Sequence, residues 1–212
     1  MKLLFIHQNF PGQFIHLAPA LAKNPGNDIR TLTISNRPIP TGVQTFRYKI
    51  NRGSTKGVHP WMVDLETKTI RGEAAYYAAL QLKQSGYYPD AIFAHPGWGE
   101  SLFLQDVWPE AKLLVYCEYY YNAVNGDVGF DPEFNDQQSS IPPRLRMKNA
   151  NHDLHLLTAT KGLSPTRYQK STFPSLFQQK IDVIHDGINT KIVCPNRNAT
   201  IDINGLKLCR SD

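Results

Sequence analysis

Short apolar runs alternate with stretches of helical periodicity along most of the sequence, and this alternation restricts the fold more than any other feature. Runs with the length and composition of buried strands cover Lys2–His7, Asp28–Ser35, Val43–Ile50, Ala91–His95 and Lys112–Glu118. LTATKGLSPT and KIDVIHDGI contain two further candidates. Strands that alternate with helices are joined by right-handed parallel crossovers. The sequence therefore predicts an α/β fold with a doubly wound parallel sheet.

Helices are expected between these strands. In QFIHLAPALAK, Pro19 removes a backbone donor at a cost of about 3 kcal/mol, which predicts a kink or a late start. RGEAAYYAALQLKQSG predicts a helix that Gly86 ends. Shorter helices are expected in ESLFLQDVW and TRYQKSTF, and a longer one in RLRMKNANHDLHLLTA. The expected core face of the longer one consists of Met147, Ala150, Leu154 and Leu157.

The ends of the pattern suggest where the domain stops. Residues 1–190 carry the alternation, and we expect them to form one domain. The tail from 191 to 212 lacks a helical pattern and contains a possible hairpin, so we interpret it as an interdomain linker and the start of a further domain. Tyr119–Pro142 has no sustained period and is expected to be a long irregular segment, of the kind that is often functional.

Composition indicates a soluble globular protein. Apolar residues make up 41% of the 212 positions and charged residues 19%. The first apolar run, Leu3–Ile6, is too short for a signal-peptide core or a membrane span. Three cysteines without metal-ligand spacing favour a reducing compartment, and we interpret the protein as cytoplasmic. Cys117, inside an apolar run, is expected to be a core residue.

The net charge of +5 permits an anionic partner without selecting one. A nucleotide, a phosphorylated lipid or an inner-membrane surface would all fit. Because the basic residues are scattered in small groups, we interpret them as solvated faces and expect no nucleic-acid binding.

Three loops after strands are candidates for a site, because ligands of doubly wound sheets bind beyond the carboxyl ends of the strands. The first is HQNFPGQF, in which the amides of Gly12, Gln13 and Phe14 would face an anion from a helix N-terminus. It matches neither GxGxxG nor GxxxxGK[ST], so a standard dinucleotide or Walker site is not predicted. A plain turn from strand to helix is the alternative.

The second loop is FAHPGWGES, residues 93–101. His95 follows a strand directly and precedes two glycines, which favours contact with a hydroxyl or phosphate over core packing. Trp98 offers an aromatic face. Glu100 is interpreted mainly as a cap at a helix N-terminus, where the helix dipole favours a carboxylate.

The third loop is YCEYYYN, residues 116–122, in which Glu118 precedes three tyrosines. Its carboxylate could bind sugar hydroxyls or act as a base, and tyrosines suit stacking on carbohydrate. An anchoring role is the alternative. His152 and His155 have the spacing of a metal pair, but a third ligand is missing and a helix face is favoured. GxSxG, CxxC and HExxH motifs are absent from the sequence.

Together, MKLLFIHQNFPGQFIHLAPALA, FAHPGWGES, LLVYCEYYY, GLSPTRYQKSTFP and KIDVIHDGINT resemble the N-terminal domain of bacterial family 4 glycosyltransferases. The resemblance covers about residues 1–193. It implies a Rossmann-like sheet that forms one half of a GT-B fold. Such enzymes transfer a sugar from a nucleotide-sugar donor with retention of configuration, and the donor is a substrate rather than a cofactor.

The resemblance also implies roles for individual residues. Pro11, Gly12 and Gln13 would lie at the cleft near donor phosphates and acceptor. His95 would be the catalytic histidine that reaches the donor sugar. The acceptor side would be lined by Trp98, Gly99, Glu118 and Tyr119. No metal ligand is implied.

In the family, the donor diphosphate is held mainly by a second domain with basic residues and a Glu-x7-Glu motif, and we expect this sequence to end about where that domain begins. We therefore expect an acceptor-binding half that is inactive unless another chain supplies the donor domain. Two alternatives stay open. One is a non-catalytic α/β binding or interaction module, and the other is a nucleotide-binding Rossmann protein of unrelated activity, which the missing glycine fingerprint disfavours.

Overall fold

The computed structural model describes residues 1–124, 126–128, 130, 131, 133 and 140–209. Within this part of the chain, seven strands form one parallel sheet in the order β3-β2-β1-β4-β5-β6-β7. They are β1 (Lys2–Ile6), β2 (Asp28–Thr33), β3 (Val43–Arg47), β4 (Ala91–Ala94), β5 (Lys112–Tyr116), β6 (Lys161–Ser164) and β7 (Ile181–Val183). The predicted doubly wound α/β fold is confirmed.

Helices cover both faces of the sheet. They are α1 (Leu17–Ala22), α2 (Val63–Gln84), α3 (Leu104–Val107), α4 (Ile141–Thr158), α5 (Arg167–Thr172) and α6 (Ser175–Gln178). Short 3₁₀ turns span Gly12–Phe14 and Pro96–Trp98. In the tail, β8 (Thr200–Ile203) and β9 (Leu206–Cys209) form the expected hairpin. Among the described residues, no helix is long and apolar enough to cross a membrane.

The strand order reverses between β1 and β4. The chain builds outward from β1 to β3, crosses back through α2, and continues outward on the other side from β4. Leu3 pairs with Ala91 and Ile6 with Ala94, so the two strands end level with each other. Since β1 is covered on both faces, Leu4 and Ile6 pack into one core cluster while Leu3 and Phe5 pack into the other. This burial explains why its sequence is a continuous apolar run.

The first helix starts late, as Pro19 predicts. Pro19 is the third residue of α1, a position where the backbone N–H has no partner within the helix and its loss costs little. Helix α2 is longer than expected, because it begins at Val63 rather than near Arg71. Gly86 follows its end with a φ of 87°, and Ala75 and Ala79 are fully buried on its inner face.

The predicted core face of α4 is wrong. Leu154 is 50% exposed and Leu157 is 67% exposed. The fully or almost fully buried residues of this helix are mostly polar: Asn149, Asn151, His152, His155 and Leu156. Periodicity of apolar residues could not find this face, since the helix packs through hydrogen bonds. Of the predicted irregular segment Tyr119–Pro142, residues 125, 129, 132 and 134–139 lie outside the described residues, and α4 begins at Ile141.

The interpretation of Glu100 as a helix cap is also wrong. Helix α3 has four residues and begins at Leu104, and its first turn carries Asp106 as the acidic residue. Glu100 precedes it without capping it and is completely buried. The residues between Gly99 and Leu104 form turns, because the chain here packs tightly against α2 rather than continuing a helix.

Candidate functional site

Two histidines meet at the point where the strand order reverses. His7 follows β1 directly and His95 follows β4 directly, and the backbone N–H of His95 donates to the Ile6 carbonyl over 3.0 Å. Because the strands are neighbours, the two imidazole rings lie with their centroids 5.1 Å apart. Both side chains are buried. This position beyond the strand ends is where doubly wound sheets bind their ligands.

His95 is held on both of its ring nitrogens. Nδ1 accepts a hydrogen bond from the Gly97 N–H over 3.2 Å, and Nε2 lies 3.1 Å from Oε2 of Glu118. The ring also stacks on Tyr116, with centroids 5.5 Å apart. The hydrogen bond from His95 lowers the pKa of the Glu118 carboxyl, so Glu118 is ionised at neutral pH.

His7 is held in the same manner. Its Nδ1 accepts from the Asn9 N–H over 2.9 Å, and its Nε2 lies 2.7 Å from Oε1 of Gln13. Burial, with the nearby His95 as a second cause, lowers the pKa of His7 to about 4. At neutral pH this ring is therefore uncharged.

His95 opens onto a cleft with a volume of about 390 Å³. Most of the side chains in its wall are charged or aromatic. Its charged and histidine side chains are Asp64, Lys68, Arg71, His95, Glu118, Lys148 and His152. Its aromatic side chains are Trp98, Tyr116, Tyr119 and Tyr121. Flat aromatic faces next to hydrogen-bonding groups suit a polyhydroxylated ligand such as a sugar.

Each of the three basic side chains of the cleft contacts another side chain. Lys68 donates to Oδ2 of Asp64 over 2.7 Å, one turn earlier on α2. Arg71 donates to the side chain of Gln8. Lys148 lies 3.6 Å from the centre of the Tyr121 ring, in a cation–π contact. The cleft therefore combines both signs of charge and carries no large field of one sign.

Glu100 lies behind this wall. Neither of its carboxylate oxygens has a hydrogen-bond partner among the described residues, and the Arg71 Nη1 atom is 3.6 Å away. Burial raises the pKa of Glu100, and the nearby backbone N–H of Glu100 itself and the charge of Arg71 oppose this only in part. The hydroxyl of Tyr48 is similarly buried without a partner in the described chain. Glu100 is thus a buried acid beside a cleft arginine.

Helix α4 fixes the His95 loop through its polar face. The Asn151 side chain donates to the Pro96 carbonyl over 2.9 Å, and Ser101 Oγ lies 2.7 Å from Nε2 of His155. Burial lowers the pKa of His155 to about 4 and that of His152 to about 3. In the described part of the chain, no three potential ligands are grouped to hold a metal ion.

The loop also touches α2 through backbone alone. Gly99 has a φ of 93°, and a Cβ there would lie 2.3 Å from the Lys68 carbonyl oxygen. A Cβ on Gly72 would in turn lie 2.8 Å from the Gly99 carbonyl oxygen. Glycine is required at this contact, because any side chain would push the loop and the helix apart.

The predicted site residues fall into two groups. His95, Trp98, Glu118 and Tyr119 all line the cleft, while Gly99 supports it from behind. In the first loop, Gln13 lines a second cavity of about 290 Å³, which shares Tyr116 with the cleft. Gly12 has a φ of 48° and leaves room for the His7 ring, and Pro11 precedes it after a cis peptide bond.

Of the three amides expected to face an anion from this loop, that of Phe14 is engaged within the loop itself. Gly12–Phe14 is a single 3₁₀ turn, and the Phe14 amide donates to the Pro11 carbonyl over 2.8 Å. The Phe14 amide is therefore not free to donate to an anion.

Sequence reasoning missed His7, Lys68, Arg71 and Lys148. His7 carried the signal that marked His95, a histidine at the end of a buried run. The three basic residues carry no local signal, because α2 and α4 bring them to the cleft only in the folded chain.

A parallel sheet of this order, with a polar cleft at its reversal point, defines a Rossmann-like domain, and solved structures with a GT-B fold contain a half that is similar to it. Two similar solved structures are a UDP-glucosyltransferase from Polygonum tinctorium capable of glucosylating indoxyl and Phytolacca americana UGT2 complexed with UDP-2fluoro-glucose and pterostilbene. The first has a TM-score of 0.52 at 9% identity over 87% of this chain and 51% of its own. The second has a TM-score of 0.52 at 11% identity, over 87% of this chain and 54% of its own.

A UDP-glucose: anthocyanidin 3-O-glucosyltransferase in complex with UDP gives a TM-score of 0.53 at 13% identity, over 96% of this chain and 56% of its own. At these identities the likeness concerns the fold alone. This chain spans about half the length of these structures. A search of curated protein sequences finds no match.

The sequence itself identifies the family. A family model described as "Glycosyl transferase family 4 group" matches residues 25–193. The chain belongs to this family.

Proposed function

We propose that this chain is the acceptor-binding half of a retaining glycosyltransferase that uses a nucleotide-sugar donor. The observation that carries the proposal is the contact of His95 with Glu118. This contact lies where the strand order of a family 4 sheet reverses, in the wall of a cleft that is lined by polar and aromatic side chains. The pair would bind the transferred sugar, and Trp98 and Tyr119 would bind the acceptor. The first loop, with Pro11, Gly12 and Gln13, would lie beside the donor.

The donor diphosphate is assigned to a second domain. The family resemblance places its basic binding residues there, and departure of a diphosphate needs such charge stabilisation. We therefore propose that these 212 residues do not transfer sugar at an appreciable rate unless a donor-binding domain acts with them. The proposal includes a cytoplasmic location, which three scattered cysteines favour, and contact with an anionic membrane surface, which the net charge of +5 favours.

Reconstitution tests this function. The chain is combined with a separately expressed donor domain from a family 4 enzyme and assayed for nucleotide release from a panel of nucleotide sugars. We expect release by the pair and none by the chain alone. His95→Leu should lower kcat/KM about 100-fold, the usual cost of losing a polar group that acts in the transition state. Glu110→Gln, an exposed change outside the cleft, serves as the control.

Three outcomes would contradict the proposal. Transfer by the chain alone would show that no further domain is needed. If the reconstituted pair that carries His95→Leu keeps its full activity, the active site does not include His95. Absence of release from every donor, with a pair that is folded and associated, would favour the non-catalytic binding module.

A further inference from the structure

His7 and His95, the two histidines at the reversal of strand order, are held by the same hydrogen-bonding arrangement. In each, a backbone N–H two residues further along donates to Nδ1: Asn9 to His7 over 2.9 Å, and Gly97 to His95 over 3.2 Å. A nitrogen that accepts a hydrogen bond carries no proton, so the proton of a neutral ring must lie on Nε2. The backbone thus selects the tautomer of both rings.

The Nε2–H groups then act as donors toward two side chains. His95 donates to Oε2 of Glu118 at 3.1 Å, and His7 donates to Oε1 of Gln13 at 2.7 Å. Both ring nitrogens of each histidine are now engaged. Because Gln13 must accept with its oxygen, its amide nitrogen becomes the donor that it offers to the cavity that it lines.

Glu118 and His95 also differ in how far their side chains are exposed to solvent. The side chain of Glu118 is 52% exposed, whereas that of His95 is only 8% exposed. An ionised carboxylate only accepts hydrogen bonds, and sugar hydroxyls donate them. Glu118 offers a ligand both its second oxygen, Oε1, and its charge, while the buried ring behind it fixes the orientation of the carboxylate.

We propose that His7 and His95 are positioning residues, and that the groups that contact sugar hydroxyls are the Glu118 carboxylate and the Gln13 amide. This rests on the proposed function and divides roles within the pair of His95 and Glu118. It departs from the family resemblance, which assigns the contact with the sugar to His95 itself. Glu118 becomes the candidate catalytic residue of the cleft.

The tautomers are measured directly on the 212-residue chain. Long-range ¹H–¹⁵N NMR spectra at pH 7 distinguish protonated from unprotonated ring nitrogens, and His7→Gln and His95→Gln assign the signals. We expect a proton on Nε2 and none on Nδ1 in both rings. A proton on Nδ1 in either ring would overturn the proposal. This readout needs neither a donor nor an acceptor, so it stands apart from the test of function.

Substitution of His95 separates positioning from chemistry. Gln places an amide N–H near the position of Nε2–H, so His95→Gln keeps the donor to Glu118, while His95→Leu removes it. In ¹³C NMR titrations, the pKa of Glu118 should rise toward its ordinary value in His95→Leu and rise less in His95→Gln. His59→Gln is the control, because His59 also accepts a backbone N–H, from Trp61, but lies outside the cleft. An unchanged Glu118 pKa in His95→Leu would refute the assignment.

Kinetics of the reconstituted pair give a second measure. His95→Gln should lose less than about tenfold in kcat/KM and keep the shape of the pH profile, whereas Glu118→Ala should lose about 100-fold. If His95 itself acts on the sugar, His95→Gln should lose as much as His95→Leu. The proposed function would survive that result, and the division of roles would not.

Discussion

Replacement of Glu100 by Gln should stabilise the protein, by an amount that grows with pH. Glu100 is completely buried, its carboxylate oxygens have no hydrogen-bond partner among the described residues, and the Arg71 Nη1 atom is 3.6 Å away. Removing an ionised carboxylate from water costs several kcal/mol unless pairing is close. The folded protein therefore keeps Glu100 protonated to a higher pH than the unfolded chain does.

The sign and size of the effect follow from proton linkage. Above the ordinary pKa of 4.5, the unfolded chain releases the Glu100 proton while the folded protein retains it. Stability is thus lost as the pH rises, by about 1.4 kcal/mol for each pH unit, until the raised pKa is reached. Gln cannot ionise, so the stability of Glu100→Gln relative to the wild type should increase at the same rate. In melting temperature this is about 3–6 °C per pH unit.

Urea unfolding of both proteins between pH 5 and pH 8 measures this difference. His7, His152 and His155 are buried in both proteins, and their pKa values do not depend on Glu100, so their contributions cancel in the comparison. Glu110→Gln, an exposed carboxylate removed from the same part of the chain, should unfold in parallel with the wild type. If Glu100→Gln is instead less stable than the wild type at pH 8, Glu100 is ionised and its pairing with Arg71 stabilises the fold. That result would refute the reasoning.

Two further predictions concern the His95 loop. Gly99→Ala should destabilise the fold by about 3 kcal/mol in urea unfolding, because φ is positive and the new Cβ would overlap the Lys68 backbone. Gly86→Ala is the control: Gly86 has a similar φ but open space around it, so the change should cost only about 1–2 kcal/mol. Equal costs would show that the overlap at Gly99 relaxes. Burial of neutral His155, with a pKa of about 4, should remove about 1.4 kcal/mol of stability per pH unit as the pH falls below 6.5, and this slope should be shallower in His155→Gln; an identical slope would contradict it.

The sheet was accessible from sequence because each strand is a contiguous run. Burial on both faces turns strands such as Lys112–Tyr116 into unbroken apolar segments, which stand out without knowledge of their neighbours. The same logic located His95 and Glu118, since each follows such a run. His7 was equally accessible by this criterion and was missed.

Features that depend on two elements could not be read in this way. The buried face of α4 is chosen by polar partners on the His95 loop, including Pro96 and Ser101, and no periodicity of apolar residues encodes them. Glu100 has the sequence context of a helix cap, yet the contact between Gly72 and Gly99 bends the chain away from helical continuation. Arg71 reaches the cleft only because α2 packs against the loop that follows β4.

The reversal of strand order has a consequence for how the site comes into being. His7 leaves the ribosome before its neighbour His95, which follows only after β2, β3 and α2 have been made. The nascent chain therefore passes through a stage in which one histidine of the pair is present without the other. A ligand that contacts both Gln13, which follows β1, and Glu118, which follows β5, would link the two halves of the sheet, β1–β3 and β4–β7. Binding of such a ligand should therefore raise the mechanical force that is needed to separate the two halves.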